Sequence, residues 1–245
     1  MTKKISLIGR KKYRYNDDIV INIPTLSQIR GDNDDNENMF WQEVNLFIKT
    51  PSDMVSELDS LGLDFEKISD YEMFIMLLIN FENSKDYKCQ LFDGFNFKDL
   101  KADSDKQGHF IFVDKNGKEV FNERVYNDVS DILATMIGTE KTPREKFGNE
   151  YAKKKWIERD YRKKSKMKKN GEKNDSFLDS VILRLVCNSN FPYNYETIGD
   201  CTIYDTIQGL KQIEKDISVT DLMQSRLVGA DLKQVPKEEL SRFAI

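Results

Sequence analysis

The interval at which apolar residues recur changes along this chain, and that change restricts its fold more than any other feature. In residues 4–23 the interval is two. Ile5 and Leu7 come first, then Tyr13 and Tyr15, then Ile19, Ile21 and Ile23 beyond Asn16-Asp17-Asp18. Alternation on either side of an Asn/Asp turn predicts a β-hairpin, and Pro24 ends its second strand because it has no N–H for a ladder. Thr25 to Ile29 then reads as a helical turn, and Gly31 to Asn38 as an acidic loop. From Met39 the interval becomes three and four, with Phe40, Val44 and Phe47 on one helical face.

Further helix starts are written in capping residues. In Thr50-Pro51-Ser52-Asp53 a hydroxyl can cap, a proline suits the first helical position, and a carboxylate sits in the first turn. Met54, Leu58 and Leu61 then predict one apolar face, ended by Gly62. Ser69-Asp70-Tyr71-Glu72 is a capping box ahead of Met73 to Ile79, an unbroken apolar run. A helix that is apolar all round should be the most buried element of the N-terminal part.

Strand spacing then returns. Tyr87 to Phe92 is one candidate. His109 to Val113 and Lys118 to Phe121 form another hairpin around Asn116-Gly117, two residues that tolerate positive φ. Val125 to Ile137 is helical, stopped by Gly138. Phe177 to Cys187, Thr202 to Lys215 and Asp221 to Val228 follow as three helices, and a terminal turn starts near Pro236. The fold class predicted is α+β: N-terminal β-hairpins with helices, a basic linking helix and a C-terminal helical bundle. The corresponding division is 1–140, 141–174 and 175–245.

Charge marks the middle segment. Lys141 to Asp175 holds 14 Lys/Arg against 6 Asp/Glu, a net of +8 in a chain whose net charge is −4. Residues 1–140 sum to −9 and residues 176–245 to −3. We expect one helix over 144–169. Phe147, Tyr151 and Trp156 would pack inward and the lysines would face out, with Trp156 turned away from the contact that Phe147 makes. The candidate interaction residues are Lys153, Lys154, Lys155, Arg159, Arg162, Lys163, Lys164, Lys168 and Lys169. Lys and Arg neutralise phosphates and Trp156 or Tyr161 could stack on bases, so nucleic acid is one partner class. The other reading is a solvated linking helix, or one that docks on an acidic protein surface. Internal pairs such as Glu150–Lys154 and the acidic remainder of the chain favour that second reading.

Little else points to chemistry. Neither a GxxxxGK[ST] nor a GxGxxG occurs among the 12 glycines, so no phosphate cradle of those types is readable. Asp32, Asp34, Asn36 and Glu43 have calcium-loop spacing, but Glu37 stands where the loop's sharp turn demands glycine. The single histidine, His109, has no partner placed by any motif. We therefore expect no catalytic residues, no cofactor and no metal. Three cysteines without a CxxC predict reduced thiols, and no apolar run nears the ~20 residues of a membrane helix. The N-terminus lacks the apolar stretch of a secretory signal.

Several short segments resemble a known family. Ile21-Asn22-Ile23-Pro24-Thr25-Leu26, Thr50-Pro51-Ser52-Asp53-Met54 and Leu61-Gly62-Leu63-Asp64-Phe65 resemble proteins encoded among tail genes of phages and prophages of low-GC Gram-positive bacteria. The run from Tyr193-Asn194-Tyr195-Glu196-Thr197 through Ile203-Tyr204 to Leu227-Val228-Gly229-Ala230-Asp231-Leu232-Lys233 is similar to the ends of phage tail assembly chaperones. The resemblance implies a non-enzymatic morphogenesis protein of the host cytoplasm. Its implied partners are the tape-measure protein, which it would hold soluble, and the tail tube polymerising around it. An oligomer is compatible with that role. The hairpin-rich N-terminal part also suits a structural component of the tail or head–tail connector, which would be found in the virion.

Overall fold

Thr25 shows how tightly local chemistry sets this fold. Its hydroxyl accepts from Gln28 N while its own N–H donates to the Gln28 side chain. That reciprocal cap starts α1 (Leu26–Arg30) directly after Pro24. The computed structural model describes residues 6–31, 35–82, 89–169, 176–188 and 191–227. Ahead of α1, β1 (Lys12–Arg14) and β2 (Val20–Asn22) pair antiparallel with Tyr13 opposite Ile21. Asn16 closes their turn by accepting from Asp18 and Ile19 N–H groups. The expected hairpin is therefore present, shorter at both ends.

Helix α2 (Asp35–Ile48) begins earlier than the apolar spacing indicates. Asp35 and Glu37, read from sequence as loop, occupy its first turn, where carboxylates are stabilised by the helix dipole. Pro51–Asp53 forms a short 3₁₀ turn capped by Thr50 and Asp53, and leads into α3 (Val55–Ser60). Leu58 is buried but Leu61, expected on the same face, is 72% exposed because α3 ends at Ser60. The capping box of Ser69 and Glu72 opens α4 (Asp70–Glu82) as expected. Its apolar run is not buried all round: Met73, Phe74 and Leu78 are, whereas Ile79 is 57% exposed. α5 (Glu123–Met136), capped by Asn122, is more fully enclosed, with seven buried side chains from Tyr126 to Met136.

Three strands form the second sheet: β3 (Lys101–Ser104), β4 (Phe110–Val113) and β5 (Glu119–Phe121), antiparallel in that order. β3 escapes sequence reading because its KADS has no apolar alternation and all four residues are exposed. Both turns of this sheet use one device. Asp105 accepts from Gln107 and His109 N–H groups, and Asp114 from Asn116 and Lys118. Gly108 and Gly117 take the left-handed conformation, φ 85° and 77°. Asn116 does not, so only one residue of the Asn-Gly pair uses positive φ. The strand expected over Tyr87 to Phe92 is absent from its described part, where Phe92 makes a single bridge to Ile21.

Phe47 marks the centre of the core, its ring 4.9 Å from Phe74, 5.6 Å from Phe92 and 6.4 Å from Tyr126. The same buried cluster continues into α7 (Phe177–Val186) and α8 (Ile203–Leu227) through Leu178, Leu185, Ile203 and Ile207. Backbone bonds stitch the segment that opens α1 to the one that opens α8, Leu26 N to Cys201 O and Ile203 N to Pro24 O. The C-terminal helices thus share the N-terminal core. The two helices expected over 202–228 are one continuous α8, because Ile217 to Thr220 carries no breaker. Asn170-Gly171 and the turn expected near Pro236 lie outside the described residues.

Candidate functional site

The basic segment meets the rest of the molecule along α3 and the Leu63 to Ile68 stretch. Its first residues, 141–149, are not helical. Pro143 and Gly148 disfavour helix there, and Asn149 caps α6 (Glu150–Lys169) by accepting from Ala152 N. The helix expected over 144–169 therefore starts six residues late. The lead-in is nonetheless fastened. Thr142 Oγ1 donates to Asp53, Arg144 to the carbonyls of Glu66 and Ile68, and Phe147 N to the Glu66 carboxylate at 2.7 Å.

One face of α6 is bound inward by charge. Lys153 Nζ lies 2.5 Å from Asp64 and 2.9 Å from Glu66, and its side chain is buried. Lys164 Nζ meets Glu57 at 2.5 Å and Asp160 at 2.8 Å. Asp160 also accepts from Ser56 Oγ at 2.6 Å and Ser56 N at 3.1 Å, so it caps the start of α3 from a distant part of the chain. Hydrogen bonds from Lys153 hold the Asp64 and Glu66 carboxyls below their usual range. Burial works against the charge on Lys153, but its two carboxylate partners outweigh that and raise its pKa. At Lys164 the same balance gives the same direction.

Apolar contacts complete the seat. Phe147, Trp156 and Ile157 pack on the small cluster of Val55, Leu58, Phe65 and Met73. The rings of Phe147 and Trp156 are 5.7 Å apart, against the expectation that they would diverge. That expectation took residues 147–156 as one helix; with Phe147 outside it, the chain folds back toward Trp156. Tyr151, expected inward, is 72% exposed.

The nine candidate residues thus divide. Lys153 and Lys164, expected outward, are pinned inward. Lys154, Lys155, Arg159, Arg162 and Lys163 are exposed and make no ion pair among the described residues. The side chains of Lys168 and Lys169 lie outside those described. The Glu150–Lys154 pair that spacing allows is not formed. Lys155 Nζ sits 5.6 Å from the Tyr151 ring and the Arg159 guanidinium 5.7 Å from that of Trp156. Trp156, Arg159, Lys163 and Met167 face Ser52, Asp53 and Thr142 across an open cleft of about 580 Å³. A second cleft of about 520 Å³ runs between Leu63–Phe65 and Lys154, Ile157 and Tyr161.

Elsewhere the polar groups have structural roles. His109 Nδ1 is 2.9 Å from Asp105, closing its turn. Glu43, the last position of the calcium-like spacing, is buried and accepts from Gln90 and Leu91 N–H groups at 2.9 and 3.1 Å. Asp32 and Asp34 lie outside the described residues. No group of three or more His, Cys, Asp or Glu arranged for a metal occurs among the described residues. No helix among them is long and apolar enough to cross a membrane. Lys153 has no local sequence signal, since it pairs with residues 89 and 87 positions earlier, whereas Lys164 has one local partner, Asp160 at i,i+4, and one distant one, Glu57. No family model, curated protein or solved structure matches the chain.

Proposed function

We propose that this chain is a non-enzymatic phage morphogenesis protein, a tail assembly chaperone that binds a tape-measure protein while the tail tube assembles. The short resemblances given above supply the family. One structural observation supports a partner of helical kind, and it lies in α8. The start of that helix is anchored: Ile203, Thr206 and Ile207 are buried. From Lys211 to Ser218 every side chain but half-buried Ile213 is exposed, and Ile217 is 50% exposed. The helix nevertheless runs 25 residues, about 37 Å. Beyond Leu210 the described contacts are few: Lys211 Nζ donates to Gly138 O, Ile213 packs on the core and Glu214 pairs with Arg184. Such an arm gains order by lying along another helix. A tape-measure protein, long and helical, would offer such a surface.

Coexpression with the long helical product of a neighbouring tail gene tests the reading. The expected result is a soluble tape-measure protein in complex with this chain, and particles free of the chain by mass spectrometry. Ile217→Asp should weaken the complex and leave the melting temperature unchanged. Stoichiometric recovery of the chain from finished particles would replace this reading by that of a structural tail or connector component.

A further inference from the structure

Two faces of α6 carry the same spacing. Positions 153, 157, 160 and 164 point into the molecule, where the two lysines meet their carboxylates. Positions 155, 159, 162 and 166 repeat that pattern two residues later, about 200° round the axis. All four are Lys or Arg, all are exposed, and none makes an ion pair among the described residues. Four acids are used on the other side: Asp64, Glu66, Glu57 and Asp160 hold Lys153 and Lys164. The helix is thereby fixed with its unpaired cations outward. Glu158 borders the outward stripe, four residues before Arg162, and makes no ion pair with it among the described residues, so the stripe keeps an excess of positive charge. An acidic chain, net −4, keeps one electropositive edge.

We infer that this outward stripe, Lys155, Arg159, Arg162 and Lys166, binds the phosphate backbone of duplex nucleic acid without reading its sequence. The stripe spans about 16 Å at 1.5 Å per residue, close to five nucleotide steps of about 3.4 Å. Its composition separates a polyphosphate partner from a protein one. Protein interfaces centre on aromatic and apolar groups and are poor in lysine. Between Lys155 and Lys166 this face offers no apolar side chain, and its four cations are bordered by one acid, Glu158, the pattern of a phosphate-contacting surface. Arginine adds fork geometry suited to phosphate oxygens. Exposed Tyr151 stands at one end of the stripe, where its hydroxyl can donate to a phosphate or sugar oxygen. Duplex binding stands apart from the chaperone reading, which rests on α8.

Fluorescence anisotropy of a 20-base-pair duplex of arbitrary sequence, titrated at several salt concentrations, tests the inference. Each neutralised phosphate contributes about −0.9 to the slope of log K against log salt. The protein should give a slope of about −4, and the triple variant Lys155→Gln, Arg162→Gln, Lys166→Gln about −1. Arg159 is retained in that variant so its contact with Trp156 survives, and the melting temperature should not move. Should the triple variant melt early, Arg162→Gln alone, which removes no ion pair or hydrogen bond among the described residues, should still reduce the slope by about 0.9. An unchanged slope in both variants overturns the proposal, as does absence of duplex binding at about 50 mM salt. Displacement of the duplex by polyglutamate at equal charge concentration also overturns it and assigns the face to an acidic protein.

Discussion

Lys153 and Tyr151 sit two residues apart and have exchanged the places that their side-chain chemistry suggests. The lysine is buried and the tyrosine is in water. A buried ammonium is tolerable only when paired, and Lys153 has two carboxylates within 3 Å. Lys153→Met keeps the apolar stem and leaves Asp64 and Glu66 facing each other. Those two are partly exposed, so the cost should be on the order of 1–2 kcal/mol, below that of a fully buried pair. The pH dependence has a definite sign. Asp64 and Glu66 have lowered pKa values, so their contribution is complete above the ordinary carboxylate range and is lost as pH falls through the lowered values. Lys153 has a raised value, so its share is complete below the ordinary lysine pKa and is lost as pH rises beyond it. Urea midpoints measured between about pH 6 and 2 should converge for the protein and Lys153→Met at the acid end. Curves that stay parallel throughout would mean that the clamp contributes nothing.

Among the elements, α6 shows what could and could not be read in advance. Its existence follows from composition and from the absence of Pro and Gly over 150–169. Its orientation does not, because a stretch with lysines on every side has no dominant apolar face. The choice was made by carboxylates in the Glu57 to Glu66 region, far away in sequence, and by Trp156 and Ile157 on a four-residue cluster. The capping box at Ser69 was legible and opens α4 as read, and Ser176 caps α7. Thr25 and Asn122 also cap their helices, in segments that were read as helical without their caps being named. β3 was not, since its only signal is pairing to β4. The continuity of α8 was missed: Asp216 to Thr220 was left between two expected helices, although it holds no Gly or Pro to break one. These packing assignments predict unequal truncation costs. Trp156→Ala removes a half-buried ring touching Phe147 and should cost roughly 1–3 kcal/mol, less than the truncation of a fully buried tryptophan. Tyr151→Ala should stay within about 0.5 kcal/mol. Thermal melts of the two variants decide it; equal losses would mean that α6 is rotated from the placement described.

For the whole molecule, the question is whether residues 175–245 fold as a unit of their own. Their described apolar side chains argue for dependence on the remainder. Leu178, Leu185, Ile203 and Ile207 belong to one buried cluster with Ile19, Phe47 and Leu133. Backbone bonds join Pro24 and Leu26 to the residues that open α8. Trp41 packs edge-on against Phe177 at 5.4 Å, so it reports on this junction, and in a Trp156→Phe background it is the sole tryptophan. Ile207 is 5% exposed, and Ile207→Ala should cost about 2–5 kcal/mol. With one shared core, that loss must appear as a lower urea midpoint at Trp41 with an unchanged slope, in a single transition. It must also appear in the N-terminal hairpin. The Asn22 amide, bonded to Leu91 O at 2.8 Å beside β1, should exchange faster by the same free energy if it opens only on global unfolding. An Asn22 amide protected as before, while α8 amides exchange faster, would show instead that the C-terminal helices unfold separately. The continuous core predicts the joint response.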